Sequence, residues 1–80
     1  MKTIVYSRQA EQTLDKMAAN LRDRIEDGII RYVLTGHGDT KALVGEPGTR
    51  LRIGDYRVVF TEDFEVVAVV KVAHRRESYR

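Results

Sequence analysis

Thr49-Arg50-Leu51-Arg52-Ile53-Gly54-Asp55-Tyr56-Arg57-Val58-Val59-Phe60-Thr61 places two runs rich in aliphatic and aromatic residues around a Gly-Asp pair. That pattern predicts a β-hairpin with a two-residue turn. The turn fixes a register in which Ile53 opposes Tyr56, Arg52 opposes Arg57, Leu51 opposes Val58 and Arg50 opposes Val59. Opposed residues share a face and successive residues alternate. One face therefore carries Leu51, Ile53, Tyr56, Val58 and Phe60; the other carries Arg50, Arg52 and Arg57 with Val59 and Thr61. Like charges directly opposite one another weaken a hairpin. Arg52 facing Arg57 points to an anion held between them; the plainer alternative is a solvated sheet face, because exposed faces are common.

Upstream, Thr3 to Tyr6 reads as a short first strand, and Ser7 as the N-cap of a helix starting at Arg8. Ala10, Leu14, Met17, Ala18 and Leu21 recur at spacings of three and four, the apolar stripe of a first helix. A break is expected at Asn20, then a second helix from about Arg22 to Leu34 with Ile25, Ile29, Tyr32 and Val33 inward and Gly36 as its stop. Within it Gly28 lowers helix stability by about 1 kcal/mol relative to Ala. Gly36-His37-Gly38-Asp39-Thr40 has neither the lysine-Ser/Thr pair of a P-loop nor dinucleotide-type glycine spacing. Lys41 to Val44 fits no single element, and Gly45-Glu46-Pro47-Gly48 is a turn. After a second turn near Glu62-Asp63, Glu65 to Ala73 is a valine-dominated run. Val66, Val67, Val69, Val70 and Val72 are apolar on both faces, as in a strand interior to a sheet.

The fold expected is α+β: a twisted, mainly antiparallel sheet packed on an N-terminal αα-hairpin, in the order β-α-α-β-β-β. Its helices cover the face bearing Leu51, Ile53, Val58 and Phe60, and the arginine face is open. The C-terminal tail, His74-Arg75-Arg76-Glu77-Ser78-Tyr79-Arg80, leaves the interior strand beside that open face. Arg50, Arg52, Arg57, Arg75 and Tyr79 are expected to converge there.

The chain has 80 residues, enough for one domain over residues 1–80 with a modest core. It has no cysteine, hence no disulfide, thiolate metal site or cysteine nucleophile. The N-terminal apolar run is too short for a signal peptide and no segment is long enough to span a bilayer, so cytoplasmic residence without membrane contact is expected. Net charge is only +2, but residues 1–49 hold seven Lys/Arg and seven Asp/Glu while residues 50–80 hold seven against five. The excess is local, an anion-binding footprint around the hairpin and tail.

Arginine offers a planar fork suited to phosphate and also stacks on bases. Several on one face with a tyrosine suit clamping of RNA phosphates with a base stacked nearby. They also suit stabilising the charge that develops when a ribose 2′-hydroxyl attacks its adjacent phosphate. Asp55, Glu62, Asp63 and Glu65 crowd the turns, and His37 and His74 lack ligand spacing, which argues against a metal site. No serine sits in a nucleophile elbow. Tyr32 and Met17 lie at helical core spacing and read as packing.

The chain resembles the RelE/ParE superfamily of small toxins from type II toxin–antitoxin modules. The resemblance is carried by Lys41-Ala42-Leu43-Val44-Gly45, by Arg50 to Phe60, and by Val72-Ala73-His74-Arg75-Arg76-Glu77-Ser78-Tyr79-Arg80. Within that superfamily, RelE-like members cut messenger RNA in the ribosomal A site without metal, through the 2′-hydroxyl route; ParE-like members poison DNA gyrase. The closing motif resembles the RelE side. The resemblance implies an endoribonuclease needing no cofactor, with a cognate antitoxin, the ribosome and mRNA as partners. It also implies that Arg57 and Arg75 hold the scissile phosphate, that Tyr79 stacks on a base, and that Lys41 grips RNA. Arg50 and Arg52 fall where relatives place lysines, and arginine is a poor general base. Histidine is the side chain whose ordinary range, about 6.5, suits a proton acceptor near neutrality, and His74 is the candidate. Arg76 and Arg80 are expected to add electrostatic attraction to RNA. A gyrase inhibitor and a non-cleaving nucleic-acid or antitoxin-binding module are the alternatives.

Overall fold

The computed structural model describes residues 1–77. Among them the elements are β1 (Thr3–Tyr6), α1 (Arg8–Asp15), α2 (Ala19–Thr35), β2 (Asp39–Ala42), β3 (Thr49–Ile53), β4 (Tyr56–Glu62) and β5 (Val66–His74). The strands form one sheet in the order β1-β5-β4-β3-β2. β1 runs parallel to β5 and the other pairings are antiparallel. The expected α+β architecture is present, with one more strand: Asp39–Ala42 pairs along β3 as an exposed edge.

The β3–β4 hairpin has the predicted register, Ile53 opposite Tyr56 through Arg50 opposite Val59. Gly54 takes the left-handed conformation (φ 59°) that the tight turn requires. Leu51, Val58 and Phe60 are buried under the helices with Ala10, Leu14, Ile25, Ile29, Val67, Val69 and Val72. β5 is interior, as its valines predict. Its pairing with β4 slips between Val59 and Phe60, where Lys71 opposes Val59 but Val69 opposes Phe60. Val70 is the extra residue of this β-bulge. The Ser7 hydroxyl ties the bulge to α1: its oxygen accepts from the Ala10 N–H (3.1 Å) and its O–H donates to the Val70 carbonyl (2.7 Å).

The helix break lies earlier than Asn20. α1 stops at Asp15, the Met17 N–H returns to the Leu14 carbonyl (3.1 Å), and α2 begins at Ala19. The earlier break puts Leu21 on the same stripe as Ile25, Ile29, Tyr32 and Val33, all of which pack on the core. Gly36 closes α2 at φ 74° with its N–H on the Tyr32 carbonyl.

Gly28 acquires a reason that its helix propensity conceals. A Cβ there would stand 2.6 Å from Ile53 Cδ1 and 3.0 Å from Cγ1, so glycine permits α2 to lie close on β3. Gly28→Ala is expected to destabilise despite its propensity gain of about 1 kcal/mol. Adding Ile53→Val, which removes Cδ1, should recover about 1 kcal/mol as a coupling between the two sites. Urea midpoints of the two single variants and the double variant measure it.

Glu62 ties β4 to α2 and to the residue ahead of β1. It accepts from Lys2 Nζ (2.8 Å) and from the Tyr32 hydroxyl (2.5 Å). The Lys2 bond, then the Tyr32 bond, holds the Glu62 carboxyl below its ordinary range. The same carboxylate, then burial, pushes the Tyr32 hydroxyl up to about 12. A lowered carboxyl pKa stabilises fully above the unfolded value, about 4.3, and that part is lost as pH falls through the lower folded value. A raised phenol pKa stabilises fully below about 10 and is lost as pH rises towards 12. Glu62→Gln is expected to flatten both limbs of stability against pH, by less than about 1 kcal/mol for so exposed a pair. Denaturant midpoints at a series of pH values are the check.

Candidate nucleic-acid interface

The sheet face away from the helices is set by strand parity. One row across it runs Lys41, Arg50, Val59, Lys71, and the next runs Asp39, Arg52, Arg57, Ala73. Arg50 and Arg57 thus stand diagonally on neighbouring strands. Both line a groove of about 340 Å³ whose other walls are Leu43, Glu46, Val59, Val70, Lys71, Ala73 and Glu77. A second depression of about 290 Å³ shares the two arginines and extends to Lys41 and Val44. Arg50 is largely covered, its side chain 18% exposed, with Nη2 3.7 Å from Asp39 Oδ1. Arg57 is half-buried.

The other predicted residues are distributed differently. Arg52 shares the face with Arg57, but its Nε donates to the Gly54 carbonyl (3.3 Å) and the side chain is exposed. Arg75 is pinned to the same hairpin turn: its N–H donates to the Asp55 carbonyl (2.7 Å) and Nε lies 3.9 Å from Asp55 Oδ1. Arg52 and Arg75 therefore gather at the turn end, beyond the lining of the groove. Lys41 lies on the edge strand at the far rim. Arg76 is exposed. Tyr79 and Arg80 lie outside the described residues.

His74 is on the opposite face. It pairs in register with Tyr56, one residue out of step with Arg57 and Ala73, and its ring meets the Tyr56 ring edge-on with centroids 5.2 Å apart. Its Nδ1 accepts from the Arg76 N–H (3.2 Å). Strand alternation thus turns His74 away from the arginine groove, and the expectation that it stands beside the cluster is corrected.

Lys71, Glu46 and Glu77 line the groove without having been singled out from the sequence. Lys71 had a readable signal, a lone cation within a valine run. Its face was not readable, because the bulge shifts the alternation. Among the described residues no group of three His, Cys, Asp or Glu side chains is placed to hold a metal ion.

Residues 4–79 match the family model described as the ParE toxin of type II toxin–antitoxin system, parDE. The chain belongs to this toxin family. The match covers nearly the whole sequence and agrees with the RelE/ParE resemblance read from it. No curated protein matches in sequence. Among solved structures, the chain is similar to the toxin fold seen in an archaeal RelE–RelB complex from Pyrococcus horikoshii OT3 (TM-score 0.76, 19% identity, 92% of this chain and 94% of that chain). It is likewise similar to the isolated E. coli RelE toxin (TM-score 0.75, 17% identity, 99% and 96%). A third is the RelB-RelE antitoxin-toxin complex from Methanococcus jannaschii (TM-score 0.73, 20% identity, 94% and 94%). At these identities the likeness is one of fold, a RelE-like sheet and helical hairpin. No helix among the described residues of this ParE-family toxin is long and apolar enough to cross a membrane.

Proposed function

We propose that this toxin arrests translation by cutting messenger RNA on the ribosome, without a metal, through attack of a ribose 2′-hydroxyl on the adjacent phosphate. The observation that carries the reading is the pairing of Arg50 and Arg57 in one groove with an apolar floor of Val59 and Val70. Two guanidinium groups beside a phosphate favour the extra negative charge of the pentavalent transition state over the ground state, which is how such donors accelerate a reaction. Arg57, half-buried and fork-shaped, is the principal donor, with Arg50 oriented by Asp39. Arg75 approaches the strand from the turn end and Tyr79 stacks on a base. Lys41, Arg52, Arg76 and Arg80 supply attraction to the RNA backbone. His74 has no part at the scissile phosphate.

The toxin acts in the cytoplasm and is neutralised by a cognate antitoxin. The open face favours an amphipathic, acidic segment of that partner, because it carries the apolar Val5, Ala68 and Val70 as well as the arginines.

A second reading, inhibition of DNA gyrase, is favoured by the matching family model, which is that of ParE. Primer extension on mRNA in a cell-free translation reaction separates the two. Cuts within codons that require ribosomes support cleavage. Intact mRNA together with blocked supercoiling by gyrase would establish the second reading.

A further inference from the structure

The groove contains a cation that the hairpin does not provide. Lys71 lies on β5, in register with Val59, and the bulge sets it beside Val70 on the open face. Arg50 flanks Val59 on one side and Lys71 on the other. At a strand spacing of about 4.8 Å their backbones stand about 10 Å apart, with Val59 between them. Charge makes Lys71 decisive. The lining carries three cations, Arg50, Arg57 and Lys71, against two carboxylates, Glu46 and Glu77, so without Lys71 it would have no net positive charge.

From this arrangement, and resting on the RNA reading above, we infer that Lys71 binds the RNA phosphate next to the scissile one. A single strand then lies across β3, β4 and β5, one phosphate at Arg50 and Arg57 and its neighbour at Lys71, with the intervening nucleoside over Val59 and Val70. Lysine suits that role, as a flexible point charge without the fork of arginine. It grips ground state and transition state alike, so its loss raises KM and leaves kcat in place.

The test compares the parent toxin with Lys71→Gln and Lys71→Arg, substitutions at an exposed position that leave the core intact. Fluorescence anisotropy with a short single-stranded RNA is expected to show about tenfold weaker binding for Lys71→Gln, as for loss of one charge-assisted phosphate contact. Its plot of log affinity against log salt should be shallower by about 0.7. Lys71→Arg should restore both. On mRNA-programmed ribosomes KM should rise about tenfold in Lys71→Gln while kcat holds. Parent-like affinity and salt slope in Lys71→Gln overturn the inference, as does a fall in kcat at unchanged KM. So does unchanged RNA binding with weakened binding of a glutamate-rich peptide, which would make Lys71 a protein contact. RNA binding that depends on Lys71 in a toxin that cuts no mRNA upholds the inference and overturns the cleavage reading. A parent that binds no RNA, either free or on the ribosome, overturns both.

Discussion

On the proposed reading, Arg57→Ala is expected to slow cleavage of ribosome-bound mRNA by about 10²- to 10³-fold, the loss typical when one preorganised donor to a developing oxyanion is removed. Growth arrest by the expressed toxin should disappear with it. The size of the effect follows from position. Arg57 is half-buried in the groove, set on a central strand between two hydrogen-bonded neighbours. Neither companion occupies its place: Arg50 stands on the neighbouring strand, and Arg52 lies at the turn outside the groove. Arg57→Lys keeps the charge but loses the fork, and its rate should fall between parent and alanine variant. The fold should survive the alanine substitution, because the side chain lies opposite the core and the change relieves the like-charge pair with Arg52. Single-turnover primer extension, with a thermal melt of each variant, measures both claims. A parent-like rate in Arg57→Ala would return the arginines to the role of a wet sheet face.

The hairpin was legible because three local signals agree: β-rich runs, a Gly-Asp turn and alternation of apolar with polar residues. Register, buried face and arginine face all followed from the turn. β5 was legible for a different reason: its valine-dominated run marks a strand flanked on both sides, although Val70 on the open face is 41% exposed. β2 was not. Asp39-Thr40-Lys41-Ala42 has no apolar alternation because it is an exposed edge, and edge strands hold their place by backbone pairing and carry polar side chains. The helix break escaped for want of a glycine or proline; packing of Leu21 on the core decided it.

The candidate site divides along the same line. Arg50 and Arg57 were placed together by hairpin register alone. Beyond the hairpin, position depends on β5, where one extra residue reverses the alternation. Counting from Val67 and Val69 assigns Lys71 to the core face, whereas the bulge delivers it to the groove. His74 lies just past the same shift and falls on the helix side. Arg75 was expected among the other arginines, but the contact that holds it runs to Asp55, a pairing set by where β5 ends relative to the hairpin turn. Long-range register is the information a local reading lacks.

Phe60→Ala is expected to destabilise the toxin by about 3–5 kcal/mol. An 80-residue chain has of order 4–12 kcal/mol in total, so this one change removes a large part of it. Phe60 is 1% exposed, the largest of the fully buried side chains, and its ring lies 5.0 Å from that of Tyr32, which links β4 to α2. Truncation loses that aromatic contact as well as the transferred area and leaves a cavity beneath the sheet. Phe64 is the control: it is 99% exposed in the β4–β5 turn, and Phe64→Ala should shift stability by no more than about 0.5 kcal/mol. Urea unfolding of the two variants gives the comparison, and similar midpoints would refute the assignment of the core. The consequence reaches the other face of the sheet. Phe60 lies where β4 and β5 change register, next to Val59 at the centre of the groove. It pairs with Val69 across the slip that brings Lys71 opposite Val59, and its ring packs on Tyr32 of α2, so loosening the core there is expected to disturb the spacing of the groove's cations on the other face.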